Sequence, residues 1–491
     1  MRIHFVAVAG TGMGPLAGLL RSAGHDVSGS DTSFYPPIGP ALEAWGIHLM
    51  QGFDAGHLDP APDLVVVGNV CRPTNVEARA AIDRGIRYAS MAHTLAELVL
   101  EGRSPLVVGG THGKTTTSAM CAHILSSAGL EPGFLIGGLP KNFDSSFRMP
   151  GHRKLALVSG SPTSHRRVPF VVEGDEYDTA FFEKTPKFWH YKPEVGVITS
   201  IEHDHIDIYP DEAAYRAAFD GFVERIPEKG LLVAAAHSGA VVDVASRAKA
   251  DVAYFCLSDD DVGSVPPHWM GATVAASAAE GRTEFDLFVG GSLAGRLGMR
   301  VPGQHNVRNA LAALAACCQG FGVPLKTATA ALETFEGVRR RQDLLYVADG
   351  VRAYDDFAHH PTAVKETLAA LRARHPDGAL WAVFEPRSAT ACRALHQAEY
   401  AESFGDASRV IFAPLGRSDI PEAERLDLPR LVSELQRRGV DALAAPTIES
   451  IVETIVREAR AGDTIALLSN GAFGGIYDKL KRALEERAIV G

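Results

Sequence analysis

The sequence predicts an α/β protein of three domains. Its 491 residues suggest about three domains on length alone. Two glycine-rich turns, at residues 10–14 and 109–113, each follow an apolar run and precede a helical pattern. The last third repeats apolar runs that end in polar loops before helices, an alternation typical of α/β domains. We therefore expect a Rossmann-like N-terminal domain at 1–103, a central domain at 104–333 and a Rossmann-like C-terminal domain at 334–491.

The N-terminal turn follows a strand predicted at 3–8 and opens a leucine-rich helix. Asp31 ends the next predicted strand, 21 residues after Gly10, where a dinucleotide fold places the acid that binds a ribose hydroxyl. The fingerprint G-x-G-x-x-G is incomplete, because Pro15 replaces its third glycine. The turn therefore serves either a nucleotide ligand or only the packing of the strand against the helix.

The second turn has the parts of a phosphate-binding loop. An apolar run at 106–108 predicts a strand before it, and residues 118–125 predict a helix after it. Backbone N–H groups of such a turn, together with the helix N-terminus, attract an anion. Lys114 could reach the β- and γ-phosphates of a nucleotide, and the Thr115 hydroxyl could bind Mg²⁺. The usual spacing needs a glycine where this chain has Val108, so an ordinary turn with an exposed lysine is the alternative. The strand and helix around the turn favour a P-loop ATPase-like central domain.

Two polar clusters follow short apolar strands of the central domain. Pro169 to Val172 lead to Glu173, and Val195 to Ile198 lead to the run that contains His205. Open α/β sheets bind ligands at the C-terminal ends of their strands. Either cluster alone would be assigned to a solvated loop. Because both follow a phosphate loop, their carboxylate and imidazole groups are candidate Mg²⁺ ligands.

Three further motifs each allow two interpretations. Asn306 and Asn309 lie three residues apart on one helical face, which suits either recognition of a base edge or simple capping. The arginines at 339–341 form either a solvated charge run or a contact to phosphate. The histidines at 359–360 could bind a metal, although we expect helix capping and nucleotide contacts. The loop at 159–167 is expected to be exposed and has no assigned role.

Composition excludes several classes of function. The net charge is −11 and no basic run suggests a nucleic-acid surface, so nucleic-acid binding is not expected. No apolar stretch approaches the ~20 residues of a membrane span, and the N-terminus is not a signal peptide. The six cysteines form no CxxC pair, as in proteins with reduced, mostly buried thiols. We therefore expect a soluble, cytoplasmic protein that neither binds nucleic acid nor inserts into a membrane.

The order of these motifs resembles the ATP-dependent Mur ligase family, which builds the peptide stem of peptidoglycan on a UDP-muramyl carrier. The motifs that carry the resemblance span nearly the whole chain: residues 110–116, Glu173, His205, residues 305–309, Asp355-Asp356 and His359-His360-Pro361. Within the family, the chain is similar to the branch that attaches a murein tripeptide. The segments that carry this finer likeness are Gly29-Ser30-Asp31 with Tyr35-Pro36-Pro37, residues 173–182, residues 187–191 and Glu385-Pro386-Arg387-Ser388.

The resemblance implies a set of site residues. Lys114, Glu173 and His205 would be catalytic, and Thr115, Glu173 and His205 would bind Mg²⁺. The ATP-binding residues would be Gly110, Thr111, His112, Gly113, Lys114, Thr115, Thr116, His305, Asn306, Asn309, Arg341 and Asp356. The substrate-binding residues would be Gly10, Thr11, Gly12, Met13, Gly14, Ser30, Asp31, Arg387, Ser388 and Asn470.

The resemblance also implies a reaction. A carboxylate of UDP-N-acetylmuramate would take the γ-phosphate of ATP, and the amine of L-alanyl-γ-D-glutamyl-meso-diaminopimelate would then displace phosphate. Several members carry a carbamoylated lysine where this chain has Phe219, so we expect no such group here. The alternatives are a ligase that adds L-alanine, a nucleotide-binding regulator without ligase activity, and an NAD-dependent oxidoreductase that uses residues 10–31. We expect a monomer or a homodimer.

Overall fold

The structure, a computed structural model, describes residues 1–35, 38–151, 167–277 and 281–490. Pro36, Pro37 and most of the loop predicted at 159–167 lie outside the described residues. Of that loop, Arg167 is described, and its guanidinium lies 3.7 Å from Glu194.

The first 103 residues form one parallel sheet with its helices. The strands are β1 (Arg2–Val6), β2 (Asp26–Asp31), β3 (His48–Gln51), β4 (Leu64–Val67) and β5 (Tyr88–Ser90). They lie side by side in the order β3-β2-β1-β4-β5. The helices are α1 (Met13–Ser22), α2 (Ile38–Ala44), α3 (Val76–Asp83) and α4 (Met91–Leu95), followed by a π-helical turn at Ala96–Leu100. The predicted strand, glycine turn and helix are thus confirmed in this order.

A second parallel sheet holds the phosphate loop. Its strands are β6 (Ser104–Gly109), β7 (Gly133–Leu135), β8 (Phe147–Arg148), β9 (Pro169–Glu173), β12 (Val195–Ile198), β13 (Leu231–Ala235) and β14 (Asp251–Leu257), with β10 (Asp178–Ala180) and β11 (Glu183–Pro186) forming a separate hairpin. The strands lie in the order β14-β13-β12-β6-β9-β7-β8, and only β8 in this series is antiparallel to its neighbour. The helices in this region are α5 (Lys114–Ser127), α6 (Glu212–Val223) and α7 (Gly239–Ala245).

Two details of this region differ from the prediction. The glycine and proline of residues 102–105 predict a linker, but Ser104 and Pro105 already pair with β9 as the first residues of β6. The sequence of residues 230–300 predicts alternating short strands, and α7 interrupts them. Ser238 caps this helix and accepts a hydrogen bond from the Val241 N–H. The strands predicted there are otherwise present, as β13, β14, β15 (Trp269–Ser277), β16 (Arg282–Val289) and β17 (Ser292–Met299).

The remaining elements include a third sheet. They are α8 (Gln304–Phe321), α9 (Leu325–Glu333), β18 (Asp343–Ala348), β19 (Val351–Asp356), α10 (Pro361–Arg374), β20 (Leu380–Phe384), α11 (Gln397–Ser403), β21 (Arg409–Phe412), α12 (Leu428–Arg437), β22 (Asp441–Ala444), α13 (Ile448–Glu458), β23 (Thr464–Leu468) and α14 (Ile476–Val490). The sheet order is β18-β19-β23-β20-β21-β22, with β18 antiparallel to β19 and the other pairs parallel. Short 3₁₀ turns occur at Ala55–Leu58, Lys187–His190, Ala394–His396, Glu422–Glu424 and Phe473–Gly475.

The third sheet is buried on both faces. Along β20, Ala382 and Phe384 pack into one apolar cluster with α10. Trp381 and Val383 point the other way, into a second cluster with α13 and α14. Successive side chains of a strand alternate between faces, so a strand covered on both sides is apolar throughout. This explains why the sequence of β20 shows a continuous apolar run.

The chain divides into two compact units. The first comprises residues 1–202, 211–270 and 309–332, and the second comprises residues 203–210, 271–308 and 333–491. The domain boundaries at 103/104 and 333/334 stay predictions. All six cysteines lie in the described part and are free thiols, and all except Cys318 are buried. Within the described ranges, none of the helices is both long and apolar enough to cross a membrane.

A glycine in α6 provides a test of this packing. A Cβ at Gly221 would overlap the indole ring of Trp189, which is itself held by a 2.8 Å hydrogen bond from Nε1 to the Ala218 carbonyl. We expect Gly221→Ala to lower the free energy of unfolding by about 1–3 kcal/mol, the usual cost of overpacking. Calorimetry of the full chain measures the effect.

Gly239→Ala is the matched control. A Cβ at Gly239 meets no atom within 4 Å, so this change should be neutral or stabilise the protein by a few tenths of a kcal/mol. Equal unfolding temperatures for the two variants would contradict the packing described for α6.

Candidate active site

The phosphate loop connects the end of β6 to the start of α5 and requires glycine at two positions. Gly110 has a φ of 129° and Gly113 a φ of 80°, both in the region that favours glycine. A Cβ at Gly110 would overlap the Thr199 hydroxyl, and a Cβ at Gly113 would overlap the Asn309 carboxamide. The loop backbone is therefore held close to two side chains that come from distant parts of the sequence.

The segment that follows β12 holds the phosphate loop in place through hydrogen bonds. The Thr111 N–H donates to the Ser200 carbonyl at 3.0 Å, and the His112 N–H donates to the Ser200 hydroxyl at 2.9 Å. The Thr111 hydroxyl accepts a hydrogen bond from the Glu202 N–H at 2.9 Å. These bonds order the loop before any ligand arrives, which lowers the entropic cost of binding an anion.

Lys114, the first residue of α5, forms a buried ion pair. Its ammonium lies 2.9 Å from one carboxylate oxygen of Glu176 and 3.1 Å from the other, and Glu176 is fully buried. Burial alone would lower the pKa of Lys114, but the charges of Glu176, Asp175 and Glu173 together raise it above its usual value. Lys114 is therefore a cation at neutral pH, next to the N-terminus of a helix.

Tyr215 of α6 connects Glu176 to the phosphate loop. Its hydroxyl donates to the Glu176 carboxylate at 3.1 Å and lies 3.0 Å from the Thr111 hydroxyl. The same ring packs against Phe219, with the two ring centroids 5.3 Å apart. Phe219, which also packs against Phe188, is thus part of an apolar aromatic group.

Thr115 and Glu173 bring two oxygen ligands together. The Thr115 hydroxyl donates to one Glu173 carboxylate oxygen at 2.9 Å, and the Gly137 N–H donates to the other at 2.7 Å. Glu173 ends β9 and lies opposite Val108 of β6 in the strand register. A hydroxyl and a carboxylate at adjacent strand and helix ends suit a hard cation such as Mg²⁺.

The second unit holds another group of predicted site residues at the end of β19. The buried Asp356 carboxylate accepts hydrogen bonds from the Gln342 N–H at 2.7 Å and from the Ala358 N–H at 2.8 Å. Burial raises the pKa of Asp356, and the Arg341 guanidinium opposes this rise. Gln342 also contacts the His305 ring at 3.3 Å and the Asn306 carboxamide at 3.4 Å.

Two of the three arginines at 339–341 make defined contacts. Arg340 donates to Asp355 at 3.2 Å and to the carbonyls of Ser469 and Gly471, so it fixes the last loop of the sheet. Arg341 lies over the Phe357 ring, 4.8 Å from its centroid. The run is therefore not a uniformly solvated face, although the proposed contact of Arg341 with phosphate stays a prediction.

Arg387 lies over the glycine of the final loop. A Cβ at Gly471 would overlap the Arg387 side chain, which is about half exposed and lies 3.7 Å from Glu385. The Ser388 hydroxyl accepts a hydrogen bond from the Ala391 N–H at 3.0 Å. The Oδ1 atom of Asn470 is buried and has no hydrogen-bond partner among the described residues. A buried oxygen without a hydrogen-bond partner suits a polar ligand.

His205 and the histidine pair at 359–360 surround a buried acid. The carboxylate of Asp204 lies 3.8 Å from His359 and 3.9 Å from His205. Burial would raise the pKa of Asp204, but the two imidazoles hold it well below its usual range. We expected capping by the histidine pair. His360 does occupy the N-cap position of α10, but its side chain makes no capping hydrogen bond and its ring packs against His396 instead.

In the N-terminal sheet, Asp31 supports the glycine turn. Its carboxylate accepts hydrogen bonds from the Ala9 N–H at 2.9 Å and from the Thr32 N–H at 2.7 Å. Ser30 is fully buried, and its hydroxyl donates to the buried carboxylate of Glu77. The turn itself opens α1, whose N-terminus lacks a side-chain cap. The substrate-binding residues predicted here lie in this turn or in the first turn of α1: Gly10, Thr11, Gly12, Met13 and Gly14.

Sequence reasoning missed several residues that support the phosphate loop. Glu176 and Tyr215 were not assigned to any site. Asn309 was assigned to recognition of a nucleotide base or to helix capping, not to the phosphate loop. The structure shows that Asn309 accepts a hydrogen bond from the Thr117 hydroxyl at 3.2 Å. The only local signal for Glu176 was its place in an acidic run after a strand. No signal at the level of sequence spacing identifies Tyr215 or Asn309 as neighbours of the loop.

Family models match three successive parts of the chain. The model described as Mur ligase family, catalytic domain, matches residues 2–103. The Mur ligase middle domain matches residues 108–317, and the model described as Mur ligase, glutamate ligase domain, matches residues 340–471.

Individual proteins are similar over the full length. The chain is 37% identical, over 99% of both chains, to the UDP-N-acetylmuramate–L-alanyl-gamma-D-glutamyl-meso-2,6-diaminoheptandioate ligase of Escherichia coli. It is 34% identical, over 96% of both chains, to the UDP-N-acetylmuramate–L-alanine ligase of a Roseiflexus species. The solved murein peptide ligase of Psychrobacter arcticus superposes with a TM-score of 0.71 at 34% identity, over 99% of each chain.

Replacing Glu176 tests the buried ion pair. Glu176→Gln keeps the size of the side chain but leaves Lys114 without its main counter-charge. We expect the free energy of unfolding to fall by about 3 kcal/mol, the usual result of removing one partner of a buried pair. A nucleoside triphosphate analogue with Mg²⁺ should narrow this difference, because phosphate oxygens supply the missing negative charge.

Glu228→Gln, at an exposed position, is the matched control and should change stability by less than about 0.5 kcal/mol. Calorimetry with and without the nucleotide measures all three proteins. If Glu176→Gln were as stable as the control variant without nucleotide, the ion pair between Lys114 and Glu176 would not stabilise the folded chain.

Proposed function

This chain belongs to the Mur ligase family of ATP-dependent ligases that form amide bonds, and we propose that it joins the tripeptide L-alanyl-γ-D-glutamyl-meso-diaminopimelate to UDP-N-acetylmuramate. The observation that carries this proposal is the full-length identity of 37% to the Escherichia coli ligase named for these substrates. The reaction serves murein recycling, in which released peptides are reused. We place it in the cytoplasm, where its nucleotide substrates are made.

The phosphate loop supports the first step. In that step a carboxylate oxygen of UDP-N-acetylmuramate forms a bond to the γ-phosphorus of ATP, the bond to the β–γ bridging oxygen breaks, and ADP leaves. Both reactants are anions, so their approach requires fixed positive charge. Lys114 supplies a cation, and the N-terminus of α5 supplies backbone N–H groups. Glu176 holds the Lys114 side chain at the loop until phosphate oxygens compete for it.

Thr115 and Glu173 fit the Mg²⁺ that we propose for this step. Their oxygen atoms are adjacent, and the Gly137 N–H orients the carboxylate. Mg²⁺ bound to phosphate oxygens would reduce the negative charge that the incoming carboxylate meets. By its motif, His205 would contact a second Mg²⁺. Its neighbour Asp204, a buried carboxylate, keeps this region of the second unit polar.

In the second step, the α-amine of the tripeptide attacks the acyl carbon. The C–N bond forms, the C–O bond to phosphate breaks, and the nitrogen loses a proton, so that the products are the amide and hydrogen phosphate. We propose that Arg387, Ser388 and Asn470 bind the peptide. The guanidinium of Arg387 is half exposed and can pair with a carboxylate, while the buried Asn470 oxygen can accept a hydrogen bond from an amide or ammonium group.

The remaining contacts follow the motif order. We propose that Gly10 to Gly14 and Asp31 hold the UDP part, with Asp31 acting through the turn that it supports. His305, Asn306, Asn309, Arg341 and Asp356 would contact the adenosine and phosphates of ATP. The Asn309 Oδ1 atom accepts a hydrogen bond from the Thr117 hydroxyl of α5, so this side chain lies beside the helix that follows the phosphate loop.

The competing function within the family is addition of L-alanine to UDP-N-acetylmuramate. It is favoured by relatives such as the Roseiflexus enzyme, at 34% identity. Both reactions share the first step and differ in the amine that attacks. Acceptor choice therefore distinguishes them.

Phosphate release measured with ATP, Mg²⁺ and UDP-N-acetylmuramate tests the proposal. We expect release with the tripeptide and little with free L-alanine. Release with L-alanine alone would assign the chain to the alanine-adding branch. Release with neither acceptor, while ATP still binds, would indicate a nucleotide-binding regulator.

Lys114→Ala should lower kcat by roughly 100- to 1000-fold, as expected for loss of a charge that stabilises the transition state. The exposed Lys326→Ala is its control.

Replacement of Arg387 tests the peptide contact. We expect Arg387→Ala to raise the KM for the tripeptide by about tenfold or more, the usual effect of losing a charged hydrogen bond. The KM for UDP-N-acetylmuramate should stay the same. Arg482→Ala, at an exposed position of α14, is the control. An equal rise of both KM values would show that Arg387 supports the fold of the region rather than the peptide.

A further inference from the structure

A cluster of two histidines and one glutamate lies in the first unit, outside the residues assigned above. His93 belongs to α4, Glu183 begins β11, and His190 ends the 3₁₀ turn that follows β11. The His93 Nδ1 atom lies 3.0 Å from one Glu183 oxygen, and the His190 Nε2 atom lies 3.7 Å from the other. One potential ligand atom from each residue lies within 4.8 Å of the other two. We call these residues the His93 cluster.

The composition of the cluster matches a particular class of ion. Two imidazoles and one carboxylate form the ligand set of borderline divalent metals such as Zn²⁺, whereas Mg²⁺ and Ca²⁺ prefer oxygen atoms alone. Three protein ligands leave a fourth position for water. His93 is exposed, and Glu183 and His190 are partly exposed, so an ion can reach all three.

Neighbouring groups orient two of the three side chains. The Thr179 hydroxyl lies 3.3 Å from a Glu183 carboxylate oxygen, and the Thr185 hydroxyl lies 2.9 Å from the His190 Nε2 atom. The Thr179 contact is of the kind that orients a metal-bound carboxylate, whereas an ion at Nε2 of His190 would replace the Thr185 contact.

An ion pair between His93 and Glu183 explains only part of this arrangement. The His190 ring lies 4.3 Å from the His93 ring, centroid to centroid, and its Nε2 atom also faces the Glu183 carboxylate. A divalent cation accounts for all three side chains at once, because two imidazole nitrogens and one carboxylate can bind the same ion.

We propose that His93, Glu183 and His190 bind one Zn²⁺-class ion that joins α4 of the N-terminal sheet to the β10–β11 hairpin region. The position gives the ion a mechanical role. Met91, in the same short helix as His93, contacts the glycine turn, since a Cβ at Gly12 would lie 3.2 Å from its terminal methyl group. A bound ion therefore restrains the helix against which the turn at residues 10–14 packs.

Titration with Co²⁺ tests the proposal on the full chain. The protein is first treated with a chelator and then titrated in the presence of excess Mg²⁺, which occupies sites made of oxygen ligands. Four-coordinate Co²⁺ with nitrogen ligands absorbs strongly in the visible range, and six-coordinate Co²⁺ with oxygen ligands absorbs weakly. We expect one equivalent of the strongly absorbing form. His93→Ala and His190→Ala should each weaken Co²⁺ binding by roughly tenfold or more.

His48→Ala, which removes an exposed histidine of β3, is the matched control and should bind Co²⁺ like the unchanged protein. Zn²⁺ should raise the thermal unfolding temperature of the unchanged protein and of this control, but not that of His93→Ala. Because His93 is exposed, its removal should leave the chelated protein folded.

Two results would overturn the proposal. One is the same Co²⁺ spectrum in all variants, which would mean that the cluster is only a hydrogen-bonded group. The other is loss of the signal in His93→Ala but not in His190→Ala, which would exclude the three-ligand site.

Discussion

The charge of Lys114 at the start of α5 is the interaction on which the rest of the site depends. An ammonium group in a largely buried position needs a negatively charged partner. The carboxylate of Glu176, which is fully buried, is that partner. Tyr215 then fixes Glu176 and the loop together. The lysine is thereby ready to exchange one anionic partner for another. Binding a phosphate in its place does not create a new buried charge but replaces an existing one.

The sequence predicted those parts of the fold that depend on neighbours along the chain. The strands β6, β9 and β12 and the helix α5 were recognisable because apolar runs, glycines and polar ends follow one another within a few residues. The approach of Thr115 to Glu173 followed from the rule that parallel strands end at the same edge of a sheet. The Rossmann-like character of residues 1–103 was likewise recognisable from the sequence. Pro15 does not disturb α1, because it lies in the first turn of this helix, where its missing N–H group would have no partner within the helix.

The parts that escaped prediction depend on pairs of residues far apart in the sequence. Tyr215 and Asn309 reach the loop from α6 and α8, and nothing in their own surroundings indicates it. His360 has the position of a helix cap, yet its side chain makes no capping hydrogen bond and its ring packs against the His396 ring. The start of β6 at Ser104 was mistaken for a linker, because its pairing with Pro169 extends a strand through residues that usually favour turns. In each case a tertiary partner overrides a local preference.

The contact between Gly113 and Asn309 constrains how this protein can vary. The carboxamide occupies the space that a side chain at position 113 would need, so neither position can change alone without disturbing the loop. A smaller residue at 309 would make room at 113 but would also remove the acceptor for Thr117. Positions 113, 117 and 309 therefore depend on one another: a substitution at any one of them removes either the space or the hydrogen bond that the other two require. The start of α5 is in this sense built from two helices, because a side chain of α8 occupies the space that keeps position 113 a glycine.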